Sequence, residues 1–164
     1  MVIRELTKDD YLLYKSIRLE LLENETLNFG SSFEEESLFE DKFWKYRLDK
    51  ETVTTIGAFI DSVLIGICVV AFNPRSKLKH IASLHSMYVK KEHRGEGTGE
   101  KLISFAEKVA KGKGVHRINL SVVKTNKKAL SLYNRLGYIE YGIEPETINV
   151  LGKYYSLLLM SKVL

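Results

Sequence analysis

Hydrophobic positions along this chain change their spacing several times, and each change predicts an element. Val2–Leu6 reads as a short strand. Tyr11, Tyr14, Ile17 and Leu21 then recur at helical steps, predicting a helix from about Lys8 to Glu25 capped by Thr7. Leu27–Ser32 is irregular. Ser31-x-x-Glu34 and Ser32-x-x-Glu35 both match the capping-box pattern, so a second helix is expected to start there and run past Trp44. Val53–Ile60 and Val63–Phe72 are apolar and β-branched, with Asp61-Ser62 suited to a tight turn between two strands. After a loop over Asn73–Lys79, His80–Val89 reads as a further strand. Leu102, Phe105, Ala106 and Val109 share one face of a helix ending near Gly112 or Gly114. A strand over Val115–Val123 and a helix over Asn126–Leu136, closed by Gly137, follow. Tyr138–Ile143 and Tyr154–Met160 are expected to pair antiparallel, joined by a Glu144–Lys153 connection. With no repeat or linker, the order β-α-α-β-β-β-α-β-α-β-β predicts one α+β domain over residues 1–164.

Composition narrows the function classes only modestly. A 164-residue chain that is 45% hydrophobic and 28% charged suits a globular protein with a sizeable core. The net charge of +4 comes from bases scattered among 21 acids, without an arginine-rich tract, so a small anionic ligand is expected rather than nucleic acid. The longest apolar run, Val63–Phe72, is about half the roughly 20 residues a membrane span needs. The N-terminus lacks the basic-then-apolar layout of a signal peptide, and a single cysteine, Cys68, suits a reducing compartment; a cytoplasmic location is expected. His80, His85, His93 and His116 lack ligand spacing with cysteine or carboxylates, so no metal is expected.

The chemistry concentrates between Met87 and Leu102, where an apolar strand breaks into a basic, glycine-rich turn that opens a helix. Helix N-termini carry unpaired N–H groups and the positive end of the dipole, and glycine lets backbone approach an anion closely. The turn is therefore suited to phosphate. A Walker loop starting at Gly95 would need its second glycine where Glu100 stands. The Gly-x-Gly-x-x-Gly dinucleotide spacing fails as well, since Gly95 and Gly97 are followed by Glu100, and Gly97 and Gly99 by Leu102.

Read as Arg94-Gly95-Glu96-Gly97-Thr98-Gly99, the turn resembles the Arg/Gln-x-x-Gly-x-Gly/Ala signature of the GNAT family of N-acetyltransferases. Asn126, Ala129, Leu132, Tyr133, Leu136, Gly137 and Tyr138 resemble that family's Asn-x-x-Ala-x-x-x-Tyr-x-x-x-Gly-aromatic helix. The resemblance implies the GNAT fold: a mixed, mainly antiparallel sheet of about seven strands flanked by helices, with the two central strands splayed. It implies a direct transfer of acetyl from acetyl-CoA to the primary amine of a small molecule or peptide, in a ternary complex. Backbone amides of Arg94, Gly95, Glu96, Gly97, Thr98 and Gly99 would cradle the pyrophosphate, with Lys90, Lys91 and Lys101 adding a diffuse positive field. Main-chain groups of Met87, Tyr88 and Val89 would meet the pantetheine arm, and the Met87 N–H would polarise the thioester carbonyl. Asn126 would bind pantetheine amides and Tyr133 would act as general acid.

An alkyl amine of pKa near 10.4 is less than roughly one part in a thousand neutral at pH 7, so a base or a pKa-lowering pocket is required. Candidates are Glu35, Glu36, Glu144, Glu146 and His85, among which the sequence does not choose. Acids clustered at Glu34–Glu36 would suit a cationic acceptor. Buried-looking Cys68 argues against a covalent acyl-enzyme. The alternative is a non-catalytic acyl-CoA-binding or sensing module of the same fold, which has no need of a proton donor at Tyr133. Members of the family are often homodimers, though no residue here shows that state.

Overall fold

A computed structural model describes residues 1–164. Seven strands form one sheet in the order β1-β2-β3-β4-β5-β7-β6, numbered along the chain as β1 (Val2–Glu5), β2 (Val53–Ile60), β3 (Val63–Phe72), β4 (Ile81–Val89), β5 (Arg117–Val123), β6 (Ile139–Val150) and β7 (Lys153–Val163). Every neighbouring pair is antiparallel except β4 and β5. Five α-helices accompany it: α1 (Tyr11–Asn24), α2 (Phe33–Ser37), α3 (Asp41–Leu48), α4 (Thr98–Gly112) and α5 (Lys127–Arg135). No helix is long and apolar enough to cross a membrane.

The sheet separates two cores. On one face α4 and α5 bury Leu102, Ile103, Ala106, Ala110 and Tyr133 against Ile56, Cys68, Val70 and Leu84. On the other, α1 and α3 bury Tyr14, Ile17, Leu21 and Trp44 against Phe59, Leu64, Ile67 and Tyr88. The helical spacing of the apolar residues in α1 and α4 thus does what it predicts, covering a sheet face that alternation alone cannot seal.

Three expectations are corrected. The single helix expected from Ser32 past Trp44 is two helices. Leu38–Glu40 interrupt it, and the Trp44 indole N–H donates to the Phe39 carbonyl at 3.2 Å within the break. Its start is the Ser32/Glu35 box, with Ser32 Oγ accepting from the Glu35 N–H at 3.2 Å; Ser31 plays no such part. The Glu144–Lys153 connection is largely strand: β6 continues to Val150, and Leu151-Gly152 makes the turn. Thr7 also caps a 3₁₀ turn at Lys8–Asp10 rather than α1 itself.

Candidate active site

β4 and β5 pair in parallel only at Ile81–Arg117, Ala82–Ile118 and Ser83–Asn119. Beyond Ser83, β4 stays with β3 and β5 stays with β7 as far as Val123–Leu157. The two central strands therefore diverge, and their facing edges carry backbone groups without ladder partners.

The wedge holds an inner cavity of about 350 Å³ between His85, Ser86 and Met87 of β4, Ser121–Val123 of β5, and Asn126 and Tyr133 of α5. An outer cavity of about 600 Å³ lies along the glycine turn and shares Asn28, Phe29, Met87, Asn126, Ala129 and Leu132 with it, so the two are lengths of one cleft.

At the outer end Gly95 and Gly97, both lining the cavity, take φ of +86° and +77°, and a Cβ at either position would meet nothing within 4 Å. Gly97 is the N-cap of α4. Thr98 in its first turn is 2% exposed, and its buried hydroxyl has no hydrogen-bond partner. A left-handed glycine turn, a helix N-terminus and an orphaned buried hydroxyl are together the donor set a pyrophosphate requires. Gly99 has a different reason: a Cβ there would come within 3.0 Å of Met87 Cε and 3.2 Å of Leu132 Cδ2.

The Arg94 side chain braces this turn. Its Nε donates to the Val89 carbonyl and its Nη2 to Glu25 Oε1, both at 2.8 Å. Glu25 Oε2 accepts from the Asn28 amide at 2.7 Å, and Asn126 donates to Asn28 Oδ1 at 3.1 Å, so a string of side chains crosses the cleft. Asn126 is also the N-cap of α5, accepting from the Ala129 N–H at 3.1 Å. Of the expected lysines, Lys90 is bound to Glu20 at 2.6 Å and Lys101 lies outside the cleft. The bases that do line it are His93, Arg94, Lys128 and Arg135. Sequence reasoning missed Lys128 and Arg135, although they repeat the two-turn spacing of Asn126 and Tyr133. Tyr88 contributes main chain to the cleft wall, while its phenol donates to Glu20 Oε1 at 3.0 Å on the α1 side.

No aspartate or glutamate lines the inner cavity. Of the candidate bases only His85 does. Solvent reaches its ring, but the surrounding protein still desolvates it and lowers its pKa, which keeps the imidazole neutral at pH 7. Glu36 is corrected outright: it is 2% exposed and accepts from Arg18 Nε (2.9 Å), Arg18 Nη2 (2.7 Å) and Arg47 Nη1 (2.8 Å). Burial alone would raise its carboxyl; the two guanidinium groups outweigh that and hold it below its ordinary range. Glu35 lines a neighbouring cavity and accepts from the Ser32 N–H at 3.2 Å, while Glu144 and Glu146 are exposed on β6.

Tyr133 is 6% exposed and packs edge-on against Tyr138, with ring centroids 5.7 Å apart. Burial raises its pKa, so the phenol is protonated throughout the neutral range. Burial also pushes the Cys68 thiol up to about 12.

A cleft between splayed parallel strands, with a phosphate-type turn at one end, defines the acyl-CoA-dependent class of transferases. The family model for acetyltransferases of the GNAT family matches residues 18–138, and the chain belongs to that family of acyl-CoA-dependent N-acetyltransferases. It is similar to the thialysine N-epsilon-acetyltransferase of Sus scrofa, 32% identical over 141 residues that cover 84% of this chain and 83% of the relative. In fold it is similar to the ribosomal-protein-alanine N-acetyltransferase of Brucella melitensis, with a TM-score of 0.85 at 23% identity and complete coverage of both chains. A Salmonella typhimurium structure containing acetyl-CoA as its cofactor superposes with a TM-score of 0.81 at 18% identity, covering 99% of this chain and 93% of that one.

Proposed function

We propose that the protein transfers acetyl from acetyl-CoA to a primary amine of a small molecule or peptide by direct attack in a ternary complex. The observation that carries this reading is the convergence of His85, Met87 and Tyr133 on one carboxylate-free cavity that continues into the glycine turn. Acetyl-CoA would supply an activated thioester, with its pyrophosphate at Gly95–Gly99 and its pantetheine beside Val89, Tyr88 and Asn126.

His85, held neutral by desolvation, accepts the proton that the attacking amine must lose. The Met87 N–H donates to the carbonyl oxygen as negative charge develops there. The Tyr133 phenol donates to the sulfur as it leaves. Such a donor works best when its pKa matches that of the acceptor it serves. Burial raises the Tyr133 phenol, so it is present as the acid at neutral pH, and a thiolate leaving into the same desolvated surroundings is more basic than in water.

A cationic acceptor is supported by a third cavity, lined by Glu23, Glu34 and Glu35, which joins the inner one through Phe29, Gly30, Thr147 and Ile148. Residues 1–164 act as one acetyltransferase domain on this reading, since β1 and β7, from opposite ends of the chain, belong to one sheet.

The test is thiol release and product mass with acetyl-CoA and a panel of polyamines, amino acids, aminoglycosides and peptide N-termini. Acetylation of one amine class is expected. Acetyl-CoA binding with no amine in the panel acetylated would favour a silent acyl-CoA-binding module instead.

A further inference from the structure

Ser86 occupies the left-handed region at φ +50°, at the one point where β4 sets two residues, Ser86 and Met87, opposite a single residue of β3, Cys68. This bulge reverses the strand's facing. Ala82 and Leu84, before it, pack into the core beneath α4 and α5. After it, Met87 and Val89 pack toward that core and Tyr88 turns to the opposite one. The direction of the Met87 peptide is therefore set by the conformation of Ser86. A serine at positive φ is disfavoured and persists only where its surroundings over-determine it.

Those surroundings are built. Arg18 Nη1 donates to Ser86 Oγ at 3.0 Å. Arg18 is 4% exposed and cannot swing away, because Glu36 grips its other two nitrogens at 2.9 and 2.7 Å and Arg47 fastens Glu36 at 2.8 Å. A planar guanidinium gripped on two edges is a fixed donor on its third. Three helices, α1, α2 and α3, thus converge through one nitrogen on the bulge of β4.

The geometry points to Arg18 as a positioning residue: through Ser86 Oγ it locks the left-handed turn that aims the Met87 N–H into the cleft. This inference rests on the role proposed above for that N–H. It separates two functions of the buried ion network. Glu36 and Arg47 join the helices, whereas the Arg18–Ser86 bond acts on the reaction.

Ser86→Ala removes Oγ and leaves the ion network whole. The expected result is a fall in kcat of about tenfold or more, part of what deleting a whole oxyanion donor costs, with KM for acetyl-CoA held within about twofold. Ser86→Gly loses the same bond but enters the left-handed region freely, so its kcat should lie between wild type and Ser86→Ala; it also gives a reading if the alanine variant does not fold. Arg18→Lys should lower kcat in the wild type yet add little to Ser86→Gly, because the bond is already absent there. Multiplicative losses in that double variant would overturn the proposal.

Isotope-edited infrared difference spectra of acetyl-CoA labelled at the thioester carbonyl separate the positioning role of Arg18 from the donor role of the Met87 N–H. A carbonyl stretch shifted to lower frequency in the wild-type complex and partly restored in Ser86→Ala supports the positioning role. An equal shift in both, with equal kcat, overturns that role while leaving the Met87 reading intact. No shift in the wild type overturns the Met87 reading, and the positioning role with it.

Discussion

Replacing Glu36 by glutamine isolates one charge at the meeting point of α1, α2 and β4. The wild-type carboxylate accepts three hydrogen bonds from two guanidinium groups, and its side chain and that of Arg18 are 3% and 5% exposed. Glutamine keeps one oxygen. If that oxygen stays with Arg18 Nε and Arg47 Nη1, its NH₂ is left facing Arg18 Nη2, a donor against a donor at the 2.7 Å site. Losing the partner of a buried charge costs about 3–5 kcal/mol. For a chain of this size each kcal/mol moves the melting temperature by about 2–4 °C, so a drop on the order of 6–20 °C is expected in scanning calorimetry at pH 7. The sign with pH is fixed. A carboxyl held below its ordinary value of 4.5 in the folded state stabilises above that value and loses its contribution as pH falls through the lower folded one. The gap between wild type and Glu36→Gln should therefore narrow on acidification below about 4.5. A drop smaller than about 1 kcal/mol at pH 7, or a gap that widens in acid, would refute the account of this network. Because Glu36 lies outside the cleft, the acid limb of the pH–rate profile should keep its position in the folded variant.

Three further outcomes are expected. His85→Gln should remove the acid limb of kcat, which falls below the ordinary histidine value of 6.5 because desolvation by the surrounding protein lowers this ring, and should reduce kcat by about 10²–10⁴ at neutral pH; a retained limb would point to another base. Gly97→Val disfavours φ +77° by about 1–2 kcal/mol; the exposed turn relaxes in the free protein and acetyl-CoA must drive it back, so the dissociation constant of acetyl-CoA should rise by about 5–30-fold in calorimetric titration with little change in melting temperature. Cys68, fully buried with its thiol pushed up to about 12, should resist alkylation in the native protein and react at once in denaturant, and Cys68→Ala should retain acetyl transfer.

Much of the fold is legible where local pattern and burial coincide. β2 and β3 begin and end at the residues the apolar runs indicate, because both are central and buried on both faces. β6 is extended far beyond the pattern because it is an edge strand exposed along most of its length, so its residues report no core face. The split between α2 and α3 has no local cause, as no glycine or proline lies between Phe33 and Leu48; it follows from the Trp44–Phe39 bond and the docking of Glu36 onto Arg18. At the site, the glycine turn and the Asn126–Tyr133 pair are visible in sequence because each is a local spacing on one element. The inner cavity is not, because it depends on where β4 parts from β5 and on a bulge at Ser86 that no residue type announces. Arg18 on its own reads as a solvated helix face; only tertiary structure pairs it with a glutamate 18 residues away.

Whether Tyr133 takes part in acetyl transfer, beyond the cleft's binding of the donor, is tested most directly by comparing Tyr133→Phe with wild type under saturating acetyl-CoA and an accepted amine. The substitution removes the phenol oxygen and keeps the ring that packs at 5.7 Å from Tyr138. With Tyr133 as the proton donor, kcat should fall by about 10²-fold or more while the dissociation constant of acetyl-CoA changes by less than about twofold. An unchanged kcat would contradict that role.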